Sequence, residues 1–125
     1  MQLSPHHATA VVADLDKESA WYQRVLGFHE IERIRPAADF EVLHLAIPGY
    51  RIDLVRQKGS SRQRVTGYLA QGWLHVVFKT PVIDADFKRL TDLGTDVKAD
   101  RNALGAIQRM TFHDPEGNEL EIVPP

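Results

Sequence analysis

Two histidines and two carboxylates fall at matched places in this chain. His7 precedes Asp53 by 46 residues, and His75 precedes Glu121 by 46. Imidazole nitrogen and carboxylate oxygen together suit a borderline or hard divalent ion such as Zn, Ni, Mn, Fe or Co. Clustered carboxylates repel one another unless a cation lies between them, so one divalent metal ion would also account for their company. Each residue has a plainer reading when taken singly. A strand histidine is more often a surface or satisfied one, and for His6 and His29 that reading is ahead. Asp53 is the weakest of the four, because Arg51 two residues away can pair with it. For His7, His75 and Glu121 the repeated spacing favours ligation.

The elements that must carry these residues repeat as well. His7-Ala-Thr-Ala-Val-Val leads through a polar turn to a helical stretch ending at Gly27, and His75-Val-Val-Phe-Lys-Thr leads likewise to one ending at Gly94. Agreement in both spacing and chemistry marks a duplicated unit, each copy reading as strand, helix, then three strands. Asp14 or Asp16 can cap the first helix and Asp84 or Asp86 the second, each carboxylate accepting from free backbone N–H groups. On the first helix Trp21 pairs with Val25 and Tyr22 with Leu26; on the second, Phe87, Leu90 and Thr91 repeat at helical spacing. Phe40–Ile47 and Arg51–Arg56 read as strands joined at Pro48-Gly49, and Ile107–Phe112 and Glu119–Val123 as a second pair joined by Asp114-Pro-Glu-Gly-Asn, strong turn chemistry. Side chains alternate along a strand. If Ala8, Ala10, Val12, Ile52, Leu54, Leu74, Val76, Phe78, Leu120 and Ile122 pack on the helices, then His7, Asp53, His75 and Glu121 all lie on a helix-free face.

Composition fits an ordinary globular chain. Of 125 residues, 43% are apolar and 26% charged, which suits one domain. Its modules are residues 1–57 and 73–125, joined by a polar, glycine-containing linker over 58–72. The formal net charge of -2 and the lack of a basic stripe argue against nucleic acid. Without cysteine the chain has no disulfide and no thiolate chemistry. No apolar run reaches the roughly 18 residues of a membrane span. The start, Met-Gln-Leu-Ser-Pro-His-His, has neither a basic nor an apolar leader region, and the expected compartment is cytoplasmic.

The opening His7-Ala-Thr-Ala-Val-Val-Ala-Asp-Leu-Asp, with Trp21-Tyr22 and Val25-Leu26-Gly27-Phe28, resembles that of the vicinal-oxygen-chelate superfamily, which holds glyoxalases, bleomycin-resistance proteins and extradiol dioxygenases. The ending Phe112-His-Asp-Pro-Glu-Gly-Asn-Glu-Leu-Glu121 is similar to that superfamily's closing hairpin. The resemblance covers nearly the whole chain outside the linker. It implies an α+β fold in which two βαβββ modules form a cup-shaped, mixed eight-stranded sheet with helices on the convex face. It implies metal ligands at His7, Asp53, His75 and Glu121. Asp53 departs from the Glu or His usual there in glyoxalase-like members; being shorter, it can drop out and leave a triad of His7, His75 and Glu121. The implied chemistry is that of a glyoxalase-like lyase or isomerase on a small oxygenated substrate, with Glu121 as base and Asp53 as second choice. Arg51, Arg109, His44 and Thr9 are candidates to hold the substrate. The resemblance leaves open a facial-triad dioxygenase, a fosfomycin-resistance-type thiol transferase and a metal-free binding protein, and it implies a homodimer.

Overall fold

A side-chain cap and a left-handed glycine bound the first helix. Strand β1 (His7–Val11) runs into α1 (Leu15–Leu26) through Asp14, whose carboxylate accepts the Lys17 N–H at 3.0 Å. At the other end Gly27 adopts φ 75°, a conformation costly for residues with a Cβ. Its N–H donates to the Gln23 carbonyl at 3.2 Å and the Phe28 N–H to that of Tyr22 at 3.2 Å. The buried stripe of α1 is Leu15, Tyr22 and Val25, with Glu18 and Ser19 also buried along it. The helix carries both expected pairs, and Tyr22 and Val25 are the buried member of each. Trp21 and Leu26 lie at the flanks, half-buried, and the Trp21 ring meets Tyr22 edge to face at 5.1 Å.

The computed structural model describes residues 1–61 and 75–125. Residues 62–72 of the expected linker, and Leu74 with its expected inward side chain, lie outside the described residues. The chain divides into two compact units, Met1–Gln63 and Arg64–Pro125. The first continues with β2 (His29–Ala37), β3 (Phe40–Ile47) and β4 (Tyr50–Gln57), in sheet order β1-β4-β3-β2. β1 pairs parallel with β4, and the other pairs are antiparallel. As expected, β3 and β4 form a hairpin about Pro48-Gly49, with Ile47 opposite Tyr50. Leu43, Leu45, Ile52 and Leu54 pack with Tyr22 and Val25 as the core, all at 3% exposure or less. Val55 is buried too, although alternation puts it on the opposite face; β4 is an inner strand, shielded on both sides by β1 and β3.

All nine residues of the edge strand β2 are exposed. Ion pairs tie it down. Arg33 reaches Asp16 at 2.7 Å, and Glu41 on β3 lies between Arg35 at 3.1 Å and Arg56 at 3.0 Å. The hydrogen bond from Arg56, then the charges of Arg35 and Arg56, hold the Glu41 carboxyl below its ordinary pKa against some burial. A carboxyl lowered on folding adds stability above its unfolded pKa and loses it as pH falls through the folded one. Acidification is therefore expected to destabilise the wild type more than Glu41→Gln. Urea midpoints at neutral and strongly acidic pH check this, and equal acid losses in both proteins would contradict it.

The second unit holds β5 (His75–Lys79), α2 (Ile83–Asp92), β6 (Lys98–Arg101), β7 (Ile107–His113) and β8 (Glu119–Val123), in sheet order β5-β8-β7-β6. Again the first and last strands pair parallel and the others antiparallel. Each unit thus forms a four-stranded mixed sheet with one helix, an α+β arrangement of eight strands. The cap of α2 differs from expectation. Helix geometry begins at Ile83 after Val82, which supplies no side-chain cap, so Asp84 and Asp86 fall inside the first turn. There they face the positive helix end. Thr80 takes the capping part: its hydroxyl accepts the Val82 N–H at 3.2 Å and donates to Asp86 at 2.6 Å. Leu90 is buried, Phe87 half-buried, and Gly94 ends the helix at φ 78°. Beyond it Asp96 accepts the His113 backbone N–H at 2.8 Å and ring Nδ1 at 2.7 Å. Burial pushes the Asp96 carboxyl up, but these bonds outweigh it and hold the pKa below the ordinary value. Among the described residues no helix is long and apolar enough to cross a membrane.

Candidate functional site

In the first unit the register sets Asp53 between Thr9 of β1 and His44 of β3, and Arg51 between His7 and Ala46. Asp53 is 6% exposed, low enough that its charge needs partners. Arg51 supplies the main one. Its Nη2 donates to Oδ2 at 3.1 Å, and its Nε lies 2.9 Å from Oδ1 without hydrogen-bond alignment. His7 Nε2 is 3.4 Å from Oδ2, and His44 Nδ1 is 3.4 Å from Oδ1. The other His44 nitrogen, Nε2, is buried with no hydrogen-bond partner among the described residues. His7 Nδ1 lies 3.2 Å from Arg51 Nη2 and 2.6 Å from His6 Nδ1. His6, read from sequence as a surface residue, therefore touches the cluster. Thr9 lies beside Asp53 in register but is exposed, and His29 is exposed on β2.

In the second unit His75 of β5 is the partner of Glu119 on β8, and Glu121 lies between Val77 and Thr111. His75 Nδ1 is 2.7 Å from Glu119 Oε2 and 3.8 Å from Glu121 Oε2. These side chains border a cleft of about 380 Å³ that also takes in Lys98, Asp100, Arg109 and Thr111. Arg109 Nε donates to Asp100 at 2.9 Å, and both residues line the cleft. Glu119, Lys98 and Asp100 were not among the residues singled out from the sequence. A signal for Glu119 was present: it follows His75 by the same interval as Arg51 follows His7.

The structure brings the expected ligands together pairwise, His7 with Asp53 and His75 with Glu121, each within its own unit. Among the described residues no three His, Asp or Glu side chains converge as a metal centre. The donor chemistry of the second pair fits a divalent ion. Glu119 engages His75 Nδ1 and leaves Nε2 available, and Glu121, with 13% of its side chain exposed, has no hydrogen bond among the described residues. Asp53 does not fit as a direct ligand, because a guanidinium already neutralises it.

The sequence pattern of the glyoxalase/bleomycin resistance protein/dioxygenase superfamily matches residues 4–122. The chain belongs to that superfamily. Solved structures of other proteins share its fold. A glyoxalase family protein from Enterococcus faecalis matches with a TM-score of 0.79 at 21% identity, over 96% of this chain and 96% of its own. TnmS3, an antibiotic binding protein from a Streptomyces species, matches with a TM-score of 0.73 at 24% identity, over 100% and 98%. FosX, a fosfomycin resistance protein from Listeria monocytogenes, crystallised as a mutant with Mn(II) and a dihydroxypropylphosphonic acid, matches with a TM-score of 0.75 at 22% identity, over 99% and 93%. At these identities the likeness is one of fold. No curated protein matches the chain.

Proposed function

We propose that this superfamily member is a divalent-metal-dependent lyase or isomerase acting on a small oxygenated substrate, with His75 and Glu121 as ligands and Asp53 outside the direct ligand set. The observation that carries this reading is His75, its Nδ1 engaged by Glu119 and its Nε2, among the described residues, left available, beside a Glu121 carboxylate without a hydrogen bond among them. FosX, a relative by fold, holds Mn(II), which agrees with such donors. When bound, the ion supplies a Lewis acid that polarises a substrate oxygen. The side chains do the rest. Glu121 takes the proton from the carbon beside the substrate carbonyl, and Arg109 and Lys98 attract an anionic group into the cleft. Arg51 holds the Asp53 carboxylate in place. The same reading takes the protein as a cytoplasmic homodimer, a role for a second copy being supported by the fully exposed edge strand β2.

One observation favours a second reading. Arg51 supplies, from within the chain, positive charge at Asp53 that a metal would otherwise bring. That suits a metal-free binding protein, as TnmS3 binds an antibiotic. Metal analysis of protein purified without an affinity tag separates the two. About one divalent ion per chain is expected; a folded protein that neither carries nor takes up metal would overturn the enzyme in favour of the binder.

A further inference from the structure

Arg51 and Glu119 occupy the same place in the two units. Each lies 44 residues beyond its histidine, and each is that histidine's partner across a parallel strand pair. Their hydrogen-bonding capacities are opposite. A guanidinium only donates, a carboxylate only accepts, and a neutral imidazole has one N–H and one lone pair. Whichever group faces Nδ1 therefore decides which ring nitrogen keeps the proton.

We propose that this exchange sets His7 and His75 in opposite tautomers, making Glu119 the positioning residue that prepares His75 as a metal ligand and Arg51 the residue that opposes a cation at His7. Glu119 Oε2, 2.7 Å from His75 Nδ1, requires a proton there and leaves the lone pair on Nε2. A carboxylate behind a ligating imidazole orients the ring and raises its basicity. At His7 the polarity reverses. Arg51 Nη2, 3.2 Å from Nδ1, can only donate and so needs the single lone pair there, which it would share with His6 Nδ1, 2.6 Å away and able to donate in one of its own tautomers. The proton of His7 then sits on Nε2, the nitrogen 3.4 Å from the Asp53 carboxylate. A cation at that nitrogen must displace the proton, and the other nitrogen faces a guanidinium. Spacing makes the two histidines equivalent; their neighbours make them unequal.

The ligand half of this proposal rests on the metal-dependent reading, whereas the tautomers do not, so the test has two arms. Long-range 15N–1H spectra of histidine-labelled, metal-free protein, recorded about two pH units above the ordinary histidine pKa of ~6.5, report each tautomer. His7→Gln and His75→Gln assign the signals. The expected result is Nδ1–H for His75 and Nε2–H for His7. Glu119→Gln keeps an acceptor and should keep the His75 pattern, Glu119→Met should lose it, and Arg51→Met should release His7 from Nε2–H. In calorimetric titration with zinc, Glu119→Met should bind about 10–100-fold more weakly than wild type and Arg51→Met more tightly. The same tautomer at both histidines, or an unchanged His75 pattern in Glu119→Met, would overturn the proposal. Opposite tautomers in a protein that binds no zinc would remove its ligand half together with the metal-dependent function, while leaving the tautomer assignment in place.

Discussion

His75→Ala is expected to weaken divalent-metal binding by at least about 100-fold while leaving the fold intact. Removing a group that merely supports a ligand typically costs 10–100-fold, and His75 is proposed as the ligand itself. Little else depends on this side chain. It is the first residue of an edge strand, half-buried, and among the described residues its strongest contact is Glu119 at 2.7 Å. His7→Ala should cost less, because His7 is engaged by Arg51 and lies against Asp53. Zinc titrations of the two variants, with thermal melts beside them, check the ranking. Equal losses would show the two halves to be equivalent, and unchanged affinity in His75→Ala would remove the proposed site from the second unit.

The largest expected loss of stability outside the hydrophobic core is at Asp114. This residue is 4% exposed and organises the turn that delivers β8. Its Oδ1 accepts the N–H groups of Glu116 at 3.0 Å and Asn118 at 2.9 Å, and Oδ2 accepts the Asn118 side-chain amide at 2.8 Å. Hydrogen bonds to a charged group contribute about 1.5–3 kcal/mol each, but those freed here are half-buried and water replaces part of them. Asp114→Ala is thus expected to lose about 3 kcal/mol, and Asp114→Asn, which retains one acceptor, clearly less. Because Glu119 and Glu121 follow directly on β8, Asp114→Ala should also weaken zinc binding where it remains folded. Denaturant unfolding measures the first effect; a loss below about 1 kcal/mol, the ordinary range of one neutral hydrogen bond, would contradict the role given to the turn.

The parts of the fold legible in the sequence were those where one residue type has one physical use. Asp14 and Gly27 marked the ends of α1, and Pro48-Gly49 and Asp114-Pro-Glu-Gly-Asn marked the turns of both hairpins. Strands β2 and β6 had no such marks. β2 is exposed on every residue and β6 is Lys-Ala-Asp-Arg, so neither shows the alternation that burial of one face imposes. The cap of α2 was misread because acidic residues favour both the cap and the first turn, and only the backbone shows which they occupy. For the candidate site, repeat spacing singled out His7, Asp53, His75 and Glu121 but treated the halves as alike. What distinguishes them is the residue at the histidine's strand partner, Arg51 against Glu119, and that pairing depends on a parallel register that periodicity does not give.

The most direct test of the proposed metal site is an anomalous-scattering map from crystals loaded with zinc or manganese. The expected map has one strong peak per chain, about 2.0–2.2 Å from His75 Nε2 and from a Glu121 oxygen, with Arg51 still on Asp53. A loaded crystal with no peak at His75 and Glu121, or with the ion held by Asp53 after Arg51 has left it, would contradict the account.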